Sequence, residues 1–284
     1  MGYEVALGLQ ARVALVKEDW NTAATAAVAG IQACGCSILP VADFMGLNDS
    51  SKANVMWGAE IITDQTGGYA SFFSHMDPEA SYGDGARKQI SKELYNQMGE
   101  EDTRRAWWDP NDAKNESFGY QQTKFKFKDV ATWTGDYIWM RVEEMYLIAA
   151  EAYCRMGGEA NEKTAREYLG DLMAKRDEHF STEGLTGSEI GALTTTYTNT
   201  LLDEILLQRR IELWGEAGRV FDIRRLKQGF KRTEEMGWPK DALLSNRPTT
   251  DPENYMWVLT IPQSEFDGNI NMDPEKDQNP LEDK

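Results

Sequence analysis

Residues 201–227 read LLDEILLQRRIELWGEAGRVFDIRRLK. Set at about 100° per residue, Leu202, Ile205, Leu213 and Val220 fall on one apolar stripe of a helix. Arg209 and Glu216 lie inside that stripe two turns apart, with Glu212 and Arg219 along its edge. A lone charge on a buried face is costly, so the pattern predicts a paired arginine–glutamate network facing another helix or a loop. This is a structural signature and not an active site.

Flanking stretches carry the same helical rhythm. Val142 to Met156 has the stripe Met145, Tyr146, Ala149, Ala150 and Tyr153 and stops at Gly157-Gly158. Lys163 to Arg176 answers it with Ala165, Tyr168, Leu169, Leu172 and Met173, which makes a helical hairpin. Tyr3 to Ala33 makes another, turning at Glu18-Asp19 and stopping at Gly35. Its stripes are Val5, Leu9, Val13 and Val16, then Trp20, Ala23, Ala24, Ala27, Val28 and Ile31. The run Leu15, Asp19-Trp20, Ala23, Ala27 resembles a tetratricopeptide-type hairpin, which buries its apolar face only by stacking on neighbours. The expected fold is mostly α: one domain of hairpins over 3–36 and 136–230, a loop-rich insertion over 37–135, and a proline-punctuated tail over 231–284 that wraps back over the helices.

The insertion is rich in Gly, Ser, Asp and Asn, and an irregular stretch this long is usually functional or disordered. Gln89 to Met98 predicts one short helix with Ile90, Leu94 and Met98 inward, and Lys124 to Lys128 alternates like a strand with Phe125 and Phe127 inward. Trp57, Trp107, Trp108, Trp133 and Trp139, five of the nine tryptophans, fall between residues 57 and 139. A flat ring matches the C–H face of a sugar, and nearby polar side chains can bond its hydroxyls. Loop-forming neighbours single out Tyr69, Phe72, Phe73, Tyr82, Trp107 and Trp108 as candidate ligand contacts. Core packing is the commoner fate of any one aromatic; Trp57 and Trp139 are assigned to it.

Composition narrows the function classes. At 41% apolar residues, 284 residues can bury a substantial core. No apolar run approaches the roughly 20 residues that cross a bilayer. A net charge of −17 argues against nucleic acid or an anionic membrane surface and leaves neutral ligands as the better fit. Cys34, Cys36 and Cys154 are too few and too irregular for a disulfide framework or a closed zinc site and read as free thiols or small buried residues. His75 and His179 belong to no metal or nucleophile pattern and read as surface residues. Asp109-Pro110-Asn111-Asp112 evokes a calcium loop but lacks its glycine. No metal, cofactor or catalytic residue is expected, and a glycosidase, which needs two placed carboxylates, is the least favoured class.

Three segments carry a family resemblance. Arg209-Arg210-Ile211-Glu212-Leu213, followed by Glu216-Ala217-Gly218-Arg219-Val220-Phe221-Asp222-Ile223-Arg224, resembles the Arg-x-x-Glu-Leu and Glu-x-x-Arg-x-Phe-Asp-Leu-x-Arg segment of SusD/RagB-type proteins. Asp136-Tyr137 through Arg141, Glu144, Leu147 and Ala150-Glu151-Ala152 is similar to a second family segment, and Ile261-Pro262-Gln263-Ser264-Glu265 with Gln278-Asn279-Pro280 to the family's ending. The resemblance implies a non-catalytic outer-membrane lipoprotein of Bacteroidetes. Such a protein binds an oligosaccharide or polysaccharide at the cell surface and docks on a SusC-like TonB-dependent transporter. Some relatives take peptides instead, and a helical-repeat scaffold for protein contacts is the alternative from another class. Met1-Gly2 runs straight into helical sequence without a cap, and the family's lipidated N-terminal cysteine has no match, so a shortened chain without its anchor is expected.

Overall fold

The structure is a computed structural model describing residues 2–66, 71–85, 87–111, 119–216, 218–238, 240, 243 and 249–281. Helices α1 (Tyr3–Val16) and α2 (Trp20–Cys34) form the first hairpin. Asp19 starts α2 by accepting from the Thr22 amide at 3.2 Å, and Gly35 ends it at φ +64°, a left-handed conformation that favours glycine. The inward face of α1 is Val5, Gly8, Ala11, Ala14 and Leu15. Val13 and Val16, expected in the stripe, are 59% and 51% exposed. Small residues won because they let backbones approach; a Cβ on Gly8 would lie 2.2 Å from the Met140 sulfur.

Strand β1 (Val55–Ala59) and the single-turn helices α3 (Phe72–Met76), α4 (Ser81–Gly85) and α5 (Lys92–Tyr95) come next. Strands β2 (Trp108–Asp109) and β3 (Gln121–Gln122) pair with each other, and β4 (Tyr137–Arg141) returns to pair antiparallel with β1. Strand β4 passes directly into α6 (Val142–Met156), the central helix, with Val142, Met145, Ile148, Ala149 and Ala152 all fully buried. Helix α7 (Glu159–Met173) completes the second hairpin, and α8 (Leu201–Glu212) and α9 (Arg219–Arg225) follow. The tail carries α10 (Gln263–Gly268) and α11 (Pro274–Asp277). It meets the helical body through Trp257, whose ring packs edge-on against Phe230. Regular structure is thus mostly helical, with two short ribbons. The cysteines are free, Cys154 buried and the other two half-buried.

Residues 37 to 135 hold a core of their own rather than loops alone. Phe44, Ile90, Leu94, Met98, Trp107, Trp108, Phe125 and Phe127 are buried together with Leu207 and Ile211 of α8. The expected strand at 124–128 is a bend. Phe125 and Phe127 do point inward, but Lys124 is buried too. Its Nζ donates to the Glu212 and Trp214 carbonyl oxygens at 2.7 and 2.9 Å and pairs with Glu216 at 2.6 Å. Those carbonyls sit at the C-terminal end of α8, where a cation satisfies acceptors the helix leaves open.

The stretch predicted as one helix is two. Gly215 at φ +74° and Gly218 at φ +133° break it after Glu212, so Val220 leaves the stripe and is 51% exposed. Glu212 and Glu216 pair with residues outside the stretch, and Arg209 pairs within it. Arg176 grips Glu212 with two nitrogens, each at 2.9 Å, and Arg141 adds a contact at 3.0 Å. Arg141 also holds Glu216 through two bonds at 2.9 and 2.8 Å. Arg209 pairs with Asp222 at 3.0 Å and lies 3.7 Å from Glu144, while Arg219 makes no ion pair with a described residue. The network joins β4, α6, the end of α7, α8 and α9, so side chains tie together elements that the backbone leaves unpaired.

Candidate functional site

Between the hairpins and the inserted core lies a surface built on the β1–β4 ribbon. Trp57 faces Met140, Gly58 faces Ile138 and Ala59 faces Tyr137, with irregular register on either side of Trp57. Two-residue alternation sends Met140 into the core and turns Trp139 outward, 45% exposed. Trp57 meets Trp139 edge to face, ring centres 4.9 Å apart at 62°, an arrangement the ring quadrupoles favour. Arg12 of α1 fixes this corner: it donates to the Trp139 carbonyl oxygen and to both Glu144 carboxylate oxygens.

Opposite the ribbon stands α3. Ser71 Oγ accepts from the Ser74 amide at 3.1 Å and starts the turn. That start splits two adjacent phenylalanines, Phe73 buried and Phe72 40% exposed. Phe73 stacks parallel on Tyr137 at 6.1 Å, and Phe72 stands perpendicular to Phe125 at 5.3 Å. Gly135 makes room, since a Cβ there would lie 2.7 Å from the Phe73 ring.

The ribbon, α3, Phe125 and the turn at Leu213 to Glu216 enclose an open cavity of about 580 Å³, within the ~300–1,000 Å³ typical of ligand sites. Trp57, Phe72, Tyr137 and Trp139 supply aromatic lining, and Arg12, Glu144 and Glu216 supply charge. Burial works to raise the Glu216 pKa, but Arg141 and Lys124 outweigh it and hold the carboxyl below its ordinary value.

The six aromatics singled out by sequence do not gather here. Phe72 and Phe73 line the cavity, and only Phe72 offers an exposed edge. Tyr82 on α4 is 46% exposed and stacks on His75 at 5.2 Å, away from the cavity lining. Tyr69 lies outside the described residues. Trp107 and Trp108 are 1% and 3% exposed, packed edge-on to each other and to Phe44 and Trp214, so neither presents a face to solvent. Trp139, assigned to the core as a helix start, is instead a half-exposed strand residue. Reading 137–141 with a period of two would have set it opposite Met140. Asp109 closes a short turn by accepting from the Asn111 amide at 2.9 Å, and Asp112 lies outside the described residues. Among the described residues no three His, Cys, Asp or Glu side chains are grouped to hold a metal, and no helix is long and apolar enough to cross a membrane.

The family model for the SusD family matches residues 82–281. A SusD-like carbohydrate binding protein of Bacteroides vulgatus superimposes with TM-score 0.73 at 23% identity, over 96% of this chain and 59% of that one. A SusD superfamily protein of Bacteroides thetaiotaomicron gives TM-score 0.75 at 23% identity, over 99% and 61%. Surface glycan-binding protein A of Bacteroides thetaiotaomicron gives 0.63 at 17%, over 98% and 65%. At these identities the likeness is one of fold, and the chain spans about three-fifths of the length of those structures. No curated protein matches the chain.

Proposed function

The chain belongs to the SusD family, and on that premise we propose that it is a non-catalytic binding protein that takes an oligosaccharide or polysaccharide segment into the cavity between the β1–β4 ribbon and α3. One observation carries the reading: half-exposed aromatic faces share an open cavity with a guanidinium and two carboxylates. Trp139 and Phe72 would stack on sugar rings, while Arg12, held in place by Glu144, would bond hydroxyls at the rim. Hydrolysis suits the site poorly. Arg141 and Lys124 hold Glu216 ionised, the wrong state for a general acid, and Arg12 occupies both Glu144 oxygens. Delivery to a SusC-like TonB-dependent transporter at the outer-membrane surface is the finer part of this proposal and rests on family membership alone.

Intrinsic tryptophan fluorescence, followed while a panel of neutral glycans is titrated in, tests the reading. One glycan is expected to give a saturable change without release of reducing sugar, and Trp139→Ala to weaken binding about tenfold or more, the loss of one stacked ring. A Trp139→Ala chain that folds and binds as well as the unsubstituted one would refute this site.

A further inference from the structure

Exposure divides the lining of the Trp139 cavity into two layers. The rim holds Trp139 and Phe72, both half-exposed, together with Arg12. The floor is Leu47, Phe73, Phe125, Met140 and Leu213, all buried and all apolar. The carboxylates of the lining are engaged with the protein itself. Both oxygens of Glu144 accept from Arg12. Those of Glu216 accept from Arg141 at 2.8 and 2.9 Å, and one also from Lys124 at 2.6 Å. The side-chain groups left to bond a ligand include Arg12 Nη1 at the rim and the Tyr137 hydroxyl on the ribbon, neither of which bonds a described residue.

This division selects among glycans. A sugar ring carries hydroxyls on most of its carbons, and a hydroxyl moved onto the floor loses its water without gaining a partner. An apolar group moved there gains with every square ångström taken out of water. Rim and sugar therefore match, whereas floor and sugar do not. Size agrees with a ligand of two parts: a cavity of about 150 Å³ lined by aliphatic and aromatic side chains already holds a benzene. The ~580 Å³ here leaves room for a sugar ring at the rim and an aromatic ring beneath it. The floor is also built for rings. Phe72 meets Phe125 perpendicularly at 5.3 Å and Phe73 stacks on Tyr137, and such arrays accept a further ring by the same quadrupole preference.

We propose that the ligand is a glycan carrying an aromatic substituent, as an aglycone or as an aryl ester, with the sugar on Trp139 and Phe72 and the substituent on the floor. The inference rests on the glycan-binding reading of this cavity and narrows its ligand class.

Calorimetry on the intact chain tests it in two arms. Phenyl glycosides of glucose, galactose, mannose and xylose are compared with their methyl glycosides for the aglycone, and cinnamoyl esters of the same methyl glycosides with the unesterified sugars for the ester. Phenol and methyl cinnamate are run as rings without sugar. At least one aryl-bearing sugar is expected to bind about tenfold or more tighter than its methyl glycoside, and the arm that gains identifies the linkage. Trp139→Ala should weaken both members of that pair. Ile138→Thr, which keeps a β-branched side chain in the ribbon wall but exchanges apolar surface for a hydroxyl, should narrow the difference between them about threefold or more. Aryl and methyl glycosides that bind equally would overturn the inference and leave the glycan reading standing, and so would a chain that binds a neutral oligosaccharide but no aryl-bearing sugar. A free ring that binds as tightly as its sugar-bearing counterpart, or no binding by any compound, would overturn both.

Discussion

Replacing Glu212 by Gln removes one negative charge from the centre of three guanidinium groups. Its carboxylate is fully buried, held by Arg176 at 2.9 Å and Arg141 at 3.0 Å, with Arg104 at 3.6 Å. The amide keeps the shape and one acceptor, but turns its NH₂ toward donors and leaves three buried cations to share the remaining carboxylates. Breaking a buried pair in this way costs about 3–5 kcal/mol, because the orphaned charge stays desolvated. Against a total stability of roughly 5–15 kcal/mol this is a large fraction, and at roughly 2–4 °C per kcal/mol it lowers Tm by about 6–20 °C. The control is Lys163→Gln, which breaks an exposed pair with Glu167 at 3.9 Å and should change stability by less than about 0.5 kcal/mol. Urea unfolding at pH 7 followed by circular dichroism reads both. The pH dependence supplies a second readout. Burial alone would raise Glu212, but Arg176, Arg141 and Arg104 hold it well below 4.5. A carboxyl depressed in the fold contributes stability that is present above its unfolded value and lost as pH falls through the folded value. The unsubstituted chain should therefore weaken steadily below about pH 4.5, and Glu212→Gln less steeply. A loss under about 1 kcal/mol at pH 7, with an unchanged acid slope, would refute the claim that this network holds the helices together.

Two further outcomes follow from single positions. Gly215→Ala combines a φ of +74° with a Cβ 2.5 Å from the Phe125 ring and should cost about 2–4 kcal/mol, whereas Gly184→Ala, at φ +77° with open space around it, should cost only about 1 kcal/mol in the same urea assay. Burial pushes Lys124 down to about 8 despite Glu216 and Glu212, with Arg141 adding to the fall. An unfolded lysine keeps its proton to about 10.4, so between pH 8 and that value the unfolded chain binds more protons, and this residue makes stability rise with pH by roughly 2–3 kcal/mol. Lys124→Met should abolish that rise, measured as the difference in urea midpoint between pH 8 and pH 10.

Sequence alone determined the hairpins, because their evidence is local. Helical periodicity, the Asp19 cap and the glycine stops at 35 and 157 each act within one or two turns, and α1, α2, α6 and α7 lie close to where those signals put them. The three motif segments were likewise readable, and they point to the family. Charge on the 201–227 stretch announced a buried network facing another element, but not which residues complete it: Arg141, Arg176 and Lys124 reach Glu212 and Glu216 from elements 36 to 92 positions away. Only tertiary structure decided that. It also decided which aromatics face water. Trp107 and Trp108 sit beside a loop signal yet enter the insertion's own core, while Trp139 stays out because its strand neighbour Met140 goes in. A ring carries no local mark of the side it will take. Burial is set by what packs against it, and here that comes from residues tens of positions distant, which is why the cavity became visible only once the chain was folded.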